Sequence, residues 1–197
     1  MRRPRFPLVL ASGSPRRREL LATLIPDFDV DVPEVDEEGL TVENPWQTAR
    51  ELAWHKAAAM VTKHPGSLIV AGDTVVAYTP DDNRWFQLGK PTNRTEAESM
   101  LGALSGREHL VITGVALAWP GGAESFAETT RVRFRELSEA EIGAYAATQE
   151  PYDKAGGYAI QGGAKGFVAG IDGSHSNVVG LPLEALGAAL VRLGLLE

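Results

Sequence analysis

The chain has 197 residues, 44% of them hydrophobic and 23% charged, the balance of an ordinary soluble globular protein long enough to bury a sizeable core. A formal net charge of −7 argues against broad nucleic-acid binding, which calls for a basic surface. There is no cysteine, which excludes disulfides, thiolate metal sites and a cysteine nucleophile and is compatible with a cytoplasmic location.

Taken in order, the chain shows its basic residues gathered toward one end, at Arg2, Arg3, Arg5 and then Arg16, Arg17 and Arg18. A local positive pocket on an acidic protein suits a small polyanion better than a duplex. Residues 6–11 are apolar but too few, and too soon followed by charge, for a signal-peptide core, and no stretch approaches a membrane span. Leu8, Val9, Leu10 and Ala11 read as a buried strand, Ser12-Gly13-Ser14 as a tight turn, and Ser14-Pro15 as the cap and first residue of a helix over 15–24. Three arginines in the first turn of a helix oppose its dipole unless an anion sits among them. Strand, turn, helix start and arginines together describe a phosphate site; solvation of the helix end is the plainer alternative.

Residues 28–32 alternate as a half-exposed strand that Pro33 ends, followed by the acidic loop Glu34-Val-Asp36-Glu37-Glu38, whose plain reading for most of its members is solvated surface. Asn44-Pro45 opens a helix to about residue 63, with an apolar stripe of Ala49, Leu52, Ala53, Ala57 and Met60. Lys56 falls on that stripe, where it either snorkels to the edge or reaches an anion. Residues 67–71 read as a short strand that Gly72-Asp73-Thr74 interrupts before residues 75–78 resume it. An aspartate at a strand's carboxyl end is either a turn residue or a place for chemistry.

A turn over 79–84 pairs residues 85–88 back as a hairpin, and Gly89-Lys90-Pro91 closes it. Ala97, Met100, Leu101 and Leu104 mark a short helix, residues 109–119 and 126–135 a large central hairpin, and Ser138 with Glu141 a capping box. Residues 150–166 are glycine-rich and aperiodic, which predicts a long irregular functional loop. Residues 167–171 form a strand, 173–177 a turn, and Leu183, Leu186, Leu190 and Leu193 line a last helix. Strand and helix alternation around a hairpin gives an α/β fold with a mixed sheet.

Residues 11–21, Ala-Ser-Gly-Ser-Pro-Arg-Arg-x-Glu-Leu-Leu, open a series of motifs that runs on through Asp36-Glu37, Glu51 with Lys56-Ala57 and Gly72-Asp-Thr-Val-Val76. The series continues with Gly89-Lys-Pro91, Thr113-Gly-Val115, Asp153-Lys-Ala-Gly-Gly-Tyr-Ala-Ile-Gln-Gly162 and Val179-Gly-Leu-Pro-Leu183. In this order, and over nearly the whole chain, they resemble the Maf family of nucleoside triphosphate pyrophosphatases. The resemblance implies one domain over residues 1–197 with a Maf/ITPase-like fold: a central mixed, elongated β-sheet flanked by helices, in two lobes with a cleft between them. It implies hydrolysis of dTTP and UTP, with some activity on modified pyrimidine nucleotides, to the monophosphate and pyrophosphate, as a house-cleaning activity in the cytoplasm.

The same resemblance supplies roles. Asp73 is the general base and, with Glu37, holds a divalent cation, Mg²⁺ or Mn²⁺. Ser12, Ser14, Arg17, Lys56, Lys90 and Lys154 bind the phosphates; Arg16, Thr74 and Gln161 set the substrate. A sister group preferring 7-methyl-GTP typically differs at those three positions, with Gln at the second and Glu at the third. The amide of Gln161 can both accept from and donate to a uracil or thymine edge, whereas a carboxylate suits guanine. The resemblance also suggests a homodimer, and it leaves a non-catalytic nucleotide-binding regulator of septum formation as a second reading. Against the usual family pattern, the turn over 79–84 is long, and Arg18 matches a variable position.

Overall fold

The computed structural model describes residues 3–37, 39–81 and 84–196; Arg2, Glu38 and the tip of the 79–84 turn lie outside the described residues. Among the described residues seven strands, numbered β1 to β7 in chain order, form one mixed sheet in the order β2-β1-β3-β5-β6-β7 with β4 beside β3. The chain divides into two compact units, the first comprising Met1–Asp73, Thr113–Glu128 and Gly180–Glu197, the second Thr74–Ile112 and Thr129–Val179. The fold is therefore α/β with a mixed sheet, as the alternation of strand and helix predicts.

In the first unit β1 (Leu8–Ala11) is buried throughout and pairs in parallel with both β2 (Asp29–Asp31) and β3 (Leu68–Tyr78). Helix α1 (Pro15–Leu24) begins as its sequence dictates: the Ser14 side chain accepts from the Arg17 backbone N–H, and Pro15 occupies the first turn. Helix α2 (Pro45–Val61) repeats the device with Asn44, which accepts from the Gln47 backbone N–H. All five residues of its expected stripe are buried, and Ala53, Ala57 and Met60 form one core cluster with Val9, Ala11, Ile69 and Ala71. A second cluster joins Leu8, Leu10, Leu21, Val70 and Leu117 of the strands and α1 to Leu186, Ala189 and Leu190 of α6 (Leu183–Arg192).

Three sequence expectations need correction. Gly72-Asp73-Thr74 does not interrupt a strand: β3 is continuous over eleven residues. Its pairing with parallel β1 ends at Ala11↔Ala71, and antiparallel β4 (Phe86–Leu88) takes up Val76 to Tyr78. Between those two pairings β3 keeps its other neighbour, β5, and sheet pairing overrides the weak strand propensity of Gly and Asp. The stretch after residue 150 is not irregular throughout: 3₁₀ turns form at Glu150–Asp153 and Gly163–Phe167, while between them the chain turns at Gly156 with φ +71° and residues 158–162 belong to no helix or strand. The expected turn over 173–177 contains a one-turn helix instead, α5 (His175–Val179), whose Asn177 backbone N–H donates to the Ser174 hydroxyl.

In the second unit α3 (Arg94–Leu104) buries Ala97, Met100, Leu101 and Leu104, and α4 (Glu139–Ala146) carries the complete Ser138/Glu141 capping box. Strands β5 (Glu108–Trp119) and β6 (Gly122–Phe134) each run through both units, and with β7 (Val168–Asp172) of the second they complete the sheet. The core here is aromatic: Phe134 meets His109, Tyr158 and Phe167 edge-on, and Tyr145 meets Phe167 likewise.

His109 is 1% exposed and shares a 2.7 Å hydrogen bond between Nε2 and the Tyr158 hydroxyl. Burial pulls its pKa from 6.5 down to about 3. Between those values the unfolded chain binds a proton that the folded chain does not. Stability is therefore lost as pH falls from about 6.5 toward 3, amounting to about 2 kcal/mol between pH 7 and pH 5. Urea unfolding of the wild type and of His109→Gln at both pH values checks this. The variant should lack that share of the acid sensitivity, and an equal loss in both proteins would refute the assignment.

Candidate active site

Parallel strands β1 and β3 stop pairing at the same level, and the groups that follow them in the chain are those a polyanion needs. After Ala11 the chain enters the Ser12-Gly13-Ser14 turn, in which the Ser14 backbone N–H donates to the Ser12 hydroxyl at 3.2 Å. Arg17, one turn into α1, donates from Nε to the Gly180 carbonyl at 2.8 Å and from Nη1 to the Ser12 hydroxyl at 3.4 Å. These bonds fix the plane of the guanidinium. Burial lowers the Arg17 pKa from its usual value, while the Asp73 and Glu37 charges oppose that shift and Arg16 adds to it.

Two residues beyond the last β1 partner on β3 lies Asp73, its side chain 16% exposed and ion-paired with Lys56 Nζ. Lys56 reaches across from α2 and is itself 15% exposed at its side chain. Its ammonium also pairs with Glu37 Oε1 at 2.8 Å, Glu37 coming from the exposed loop after β2. The helical spacing that puts Lys56 among core residues thus delivers it to anions, not to the solvent edge. No glance at the sequence would name them, since Glu37 and Asp73 are distant in the chain on either side of Lys56.

The first unit therefore brings together Ser12, Ser14, Arg17, Glu37, Lys56 and Asp73, with Arg16 beside Arg17. Thr74, Lys90, Lys154 and Gln161 belong to the second unit. There, the Gly156 backbone N–H donates to the Gly89 carbonyl at 3.0 Å, which joins the segment of Lys90 to the turn after Lys154. Gly156 holds φ +71°, and a Cβ there would meet Val76, so only glycine fits that crossing. Lys154 donates to the Glu150 carbonyl at 2.6 Å and pairs with the neighbouring Asp153 carboxylate. Lys90 and Gln161 are exposed, and Thr74 is half-buried on β3.

Two residues unforeseen from sequence hold this segment. Tyr145 donates to Glu150 Oε1 at 3.0 Å, and Glu150 accepts from the Gly163 backbone N–H. No local pattern marks them, because a carboxylate thirteen residues from its partner amide leaves no periodic trace. Arg17's partner Gly180 was equally hidden, since the acceptor is a backbone carbonyl.

An α/β protein that sets paired carboxylates on a lysine, beside an arginine anchored at a strand–turn–helix, has the make-up of a phosphate-ester or anhydride site. Comparison with known proteins gives that class a family. The model of the family described as Maf-like protein matches residues 7–193. A dTTP/UTP pyrophosphatase of Symbiobacterium thermophilum is 47% identical over 188 residues, covering 95% of this chain and 94% of the relative. One from Myxococcus xanthus is 49% identical, covering 95% of this chain and 93% of the relative. Among solved structures, a HAM1 protein from Coxiella burnetii has a TM-score of 0.50 at 17% identity, covering 95% of this chain and 99% of that one, a likeness of fold. The chain belongs to the Maf family.

Proposed function

We propose that this chain is a nucleoside triphosphate pyrophosphatase that hydrolyses dTTP and UTP between the α- and β-phosphates, releasing the monophosphate and pyrophosphate. That it is a hydrolase of nucleotide anhydrides follows from its family and from relatives sharing nearly half its residues along nearly all their length. The observation that carries the reading to particular residues is the meeting of Asp73 and Glu37 on Lys56, with the anchored Arg17 close enough for its charge to be felt by both.

Asp73 is proposed to take the proton of the attacking water. Arg17 and Lys56, with Ser12, Ser14 and the N–H groups of their turn, bind the phosphates; Lys90 and Lys154 contribute further cations. Arg16, Thr74 and Gln161 are assigned to substrate choice, the Gln161 amide matching an edge that offers one N–H between two carbonyls.

Charge arithmetic bears on the metal. Arg17 and Lys56 carry as much positive charge as Asp73 and Glu37 carry negative, so this cluster alone does not neutralise a triphosphate. Two carboxylates facing a common cation, with phosphate oxygens completing the shell, fit the oxygen donor set of Mg²⁺ or Mn²⁺. When bound, such an ion would polarise the phosphate oxygens and offset their charge.

Pyrophosphate and orthophosphate release should be scored on a panel of dTTP, UTP and 7-methyl-GTP with Mg²⁺. Pyrophosphate from the two pyrimidine nucleotides supports the reading, and orthophosphate alone would mean another bond is cut. On the same panel Arg17→Lys is expected to raise KM for dTTP about tenfold, since a lysine keeps the charge but loses the bonds to Gly180 and Ser12 that fix the guanidinium plane. A variant with wild-type KM would remove Arg17 from the phosphate site.

A further inference from the structure

We infer that Tyr145 and Glu150 are positioning residues that clamp the Gln161 turn and thereby set how strictly the enzyme discriminates among pyrimidine bases. The inference rests on the proposal that Gln161 reads the base. Residues 158–162 belong to no strand or helix, so no ladder of backbone hydrogen bonds holds Gln161. Beyond the turn's own bond from the Gly162 N–H to the Ala159 carbonyl at 3.2 Å and the buried side chains of Tyr158 and Ile160, a two-residue clamp holds them. On one side the Ala159 backbone N–H donates to the Tyr145 hydroxyl at 3.2 Å. On the other, the Gly163 backbone N–H donates to both Glu150 carboxylate oxygens, at 3.1 and 3.0 Å. The Tyr145 hydroxyl donates in turn to Glu150 Oε1, which closes the two halves into one unit two residues to either side of Gln161.

The surroundings fit this purpose. The Tyr145 ring packs edge-on against Phe167 at 5.3 Å, so the hydroxyl is held by a buried body. Burial raises the Tyr145 pKa, opposed by the Ala159 N–H and reinforced by the Glu150 charge, so the phenol keeps the proton it donates. A Cβ on Gly162 would fall onto the Glu150 carboxylate, so glycine beside Gln161 is what lets the carboxylate approach the turn. The Glu150 carbonyl also accepts from Lys154, placing one residue in contact with both the specificity turn and a phosphate-binding lysine.

The test measures kcat/KM for dTTP and dCTP, whose bases share a ring but differ at the N3–C4 edge and in the thymine 5-methyl group, which is the same in every comparison, in Gln161→Ala, Tyr145→Phe, Glu150→Ala and Glu150→Gln. Tyr145→Phe removes one oxygen from a packed ring, so its fold is expected to persist. Amide hydrogen exchange at Ala159 and Gly163 reports the clamp directly. The dTTP/dCTP ratio should collapse in Gln161→Ala. It should fall about tenfold in Tyr145→Phe and Glu150→Ala, carried by KM for dTTP, the equivalent of one net hydrogen bond. Glu150→Gln retains an acceptor oxygen and should restore most of the ratio. Exchange at the two amides should quicken in Tyr145→Phe and Glu150→Ala. A collapsed ratio in Gln161→Ala beside wild-type ratios in the clamp variants would overturn the clamp alone. An unchanged ratio in Gln161→Ala would overturn base reading by Gln161, and the clamp's part in selectivity with it.

Discussion

Asp73→Asn is expected to slow pyrophosphate release from dTTP by a factor of about 10² to 10⁴ while leaving the fold in place. The amide matches the carboxylate in shape and keeps an oxygen that can accept from Lys56, so the strand and the lysine have no reason to move. What it loses is the charge and the capacity to take a proton. Glu37 is a poor substitute: it meets the same ammonium, but its side chain is 53% exposed on a loop, whereas Asp73 is fixed on β3 and 16% exposed. At saturating Mg²⁺ the effect should fall on kcat more than on KM, because the amide oxygen can still ligate a cation beside Glu37 whereas it cannot take a proton. Steady-state kinetics with dTTP, alongside a thermal melt to show equal folding, decide the matter. A variant turning over at the wild-type rate would remove Asp73 as the base.

The parts of this arrangement visible in the sequence are those that local chemistry determines. Ser14-Pro15, Asn44-Pro45 and Ser138 with Glu141 each announce a helix start, because a cap satisfies N–H groups only three residues away. The direction of Lys56 is legible for the same reason, since Ala53, Ala57 and Met60 define its face. Its partners are not. Asp73 and Glu37 reach it through the pairing of β1 with β2 and β3 and the packing of α2, none of which has a sequence period. The reading of Gly72-Asp73-Thr74 as a break failed because propensity describes an isolated segment, whereas this one lies inside a sheet. The one-turn helix after residue 174 was missed because Ser and Asn favour turns. Here Asn177 is wholly buried and its side-chain amide donates to the Val111 carbonyl and the Thr130 hydroxyl, tertiary bonds that a local reading does not contain.

Gly114→Ala should be among the most damaging single-methyl additions in the first unit. A Cβ at this position on β5 would lie on the carbonyl oxygen and carbon of Ala49 and 2.7 Å from the Arg50 backbone nitrogen. All three obstacles are main-chain atoms of α2, so no rotamer change relieves the overlap and either the helix or the strand has to shift. Neither is free to do so: Ala49 and Gly114 are both buried, and Ala53 and Ala57, further along the same helix, are fixed in the core. Overpacking of this kind costs about 3 kcal/mol, or about 6 to 12 °C in Tm for a chain of this size. The damage should extend to activity. Lys56 lies two helical turns from Ala49 on the same face of α2, so a displaced helix carries the ammonium away from Asp73. Gly102→Ala is the matched control: it lies within α3, nothing stands within 4 Å of its added Cβ, and an alanine there should stabilise by about 0.5 to 1 kcal/mol. Thermal melts and dTTP turnover of the two variants separate a backbone clash from a general intolerance of glycine replacement. A wild-type melting temperature in Gly114→Ala would mean that α2 does not rest on β5 as described, and that the placement of Lys56 has another cause.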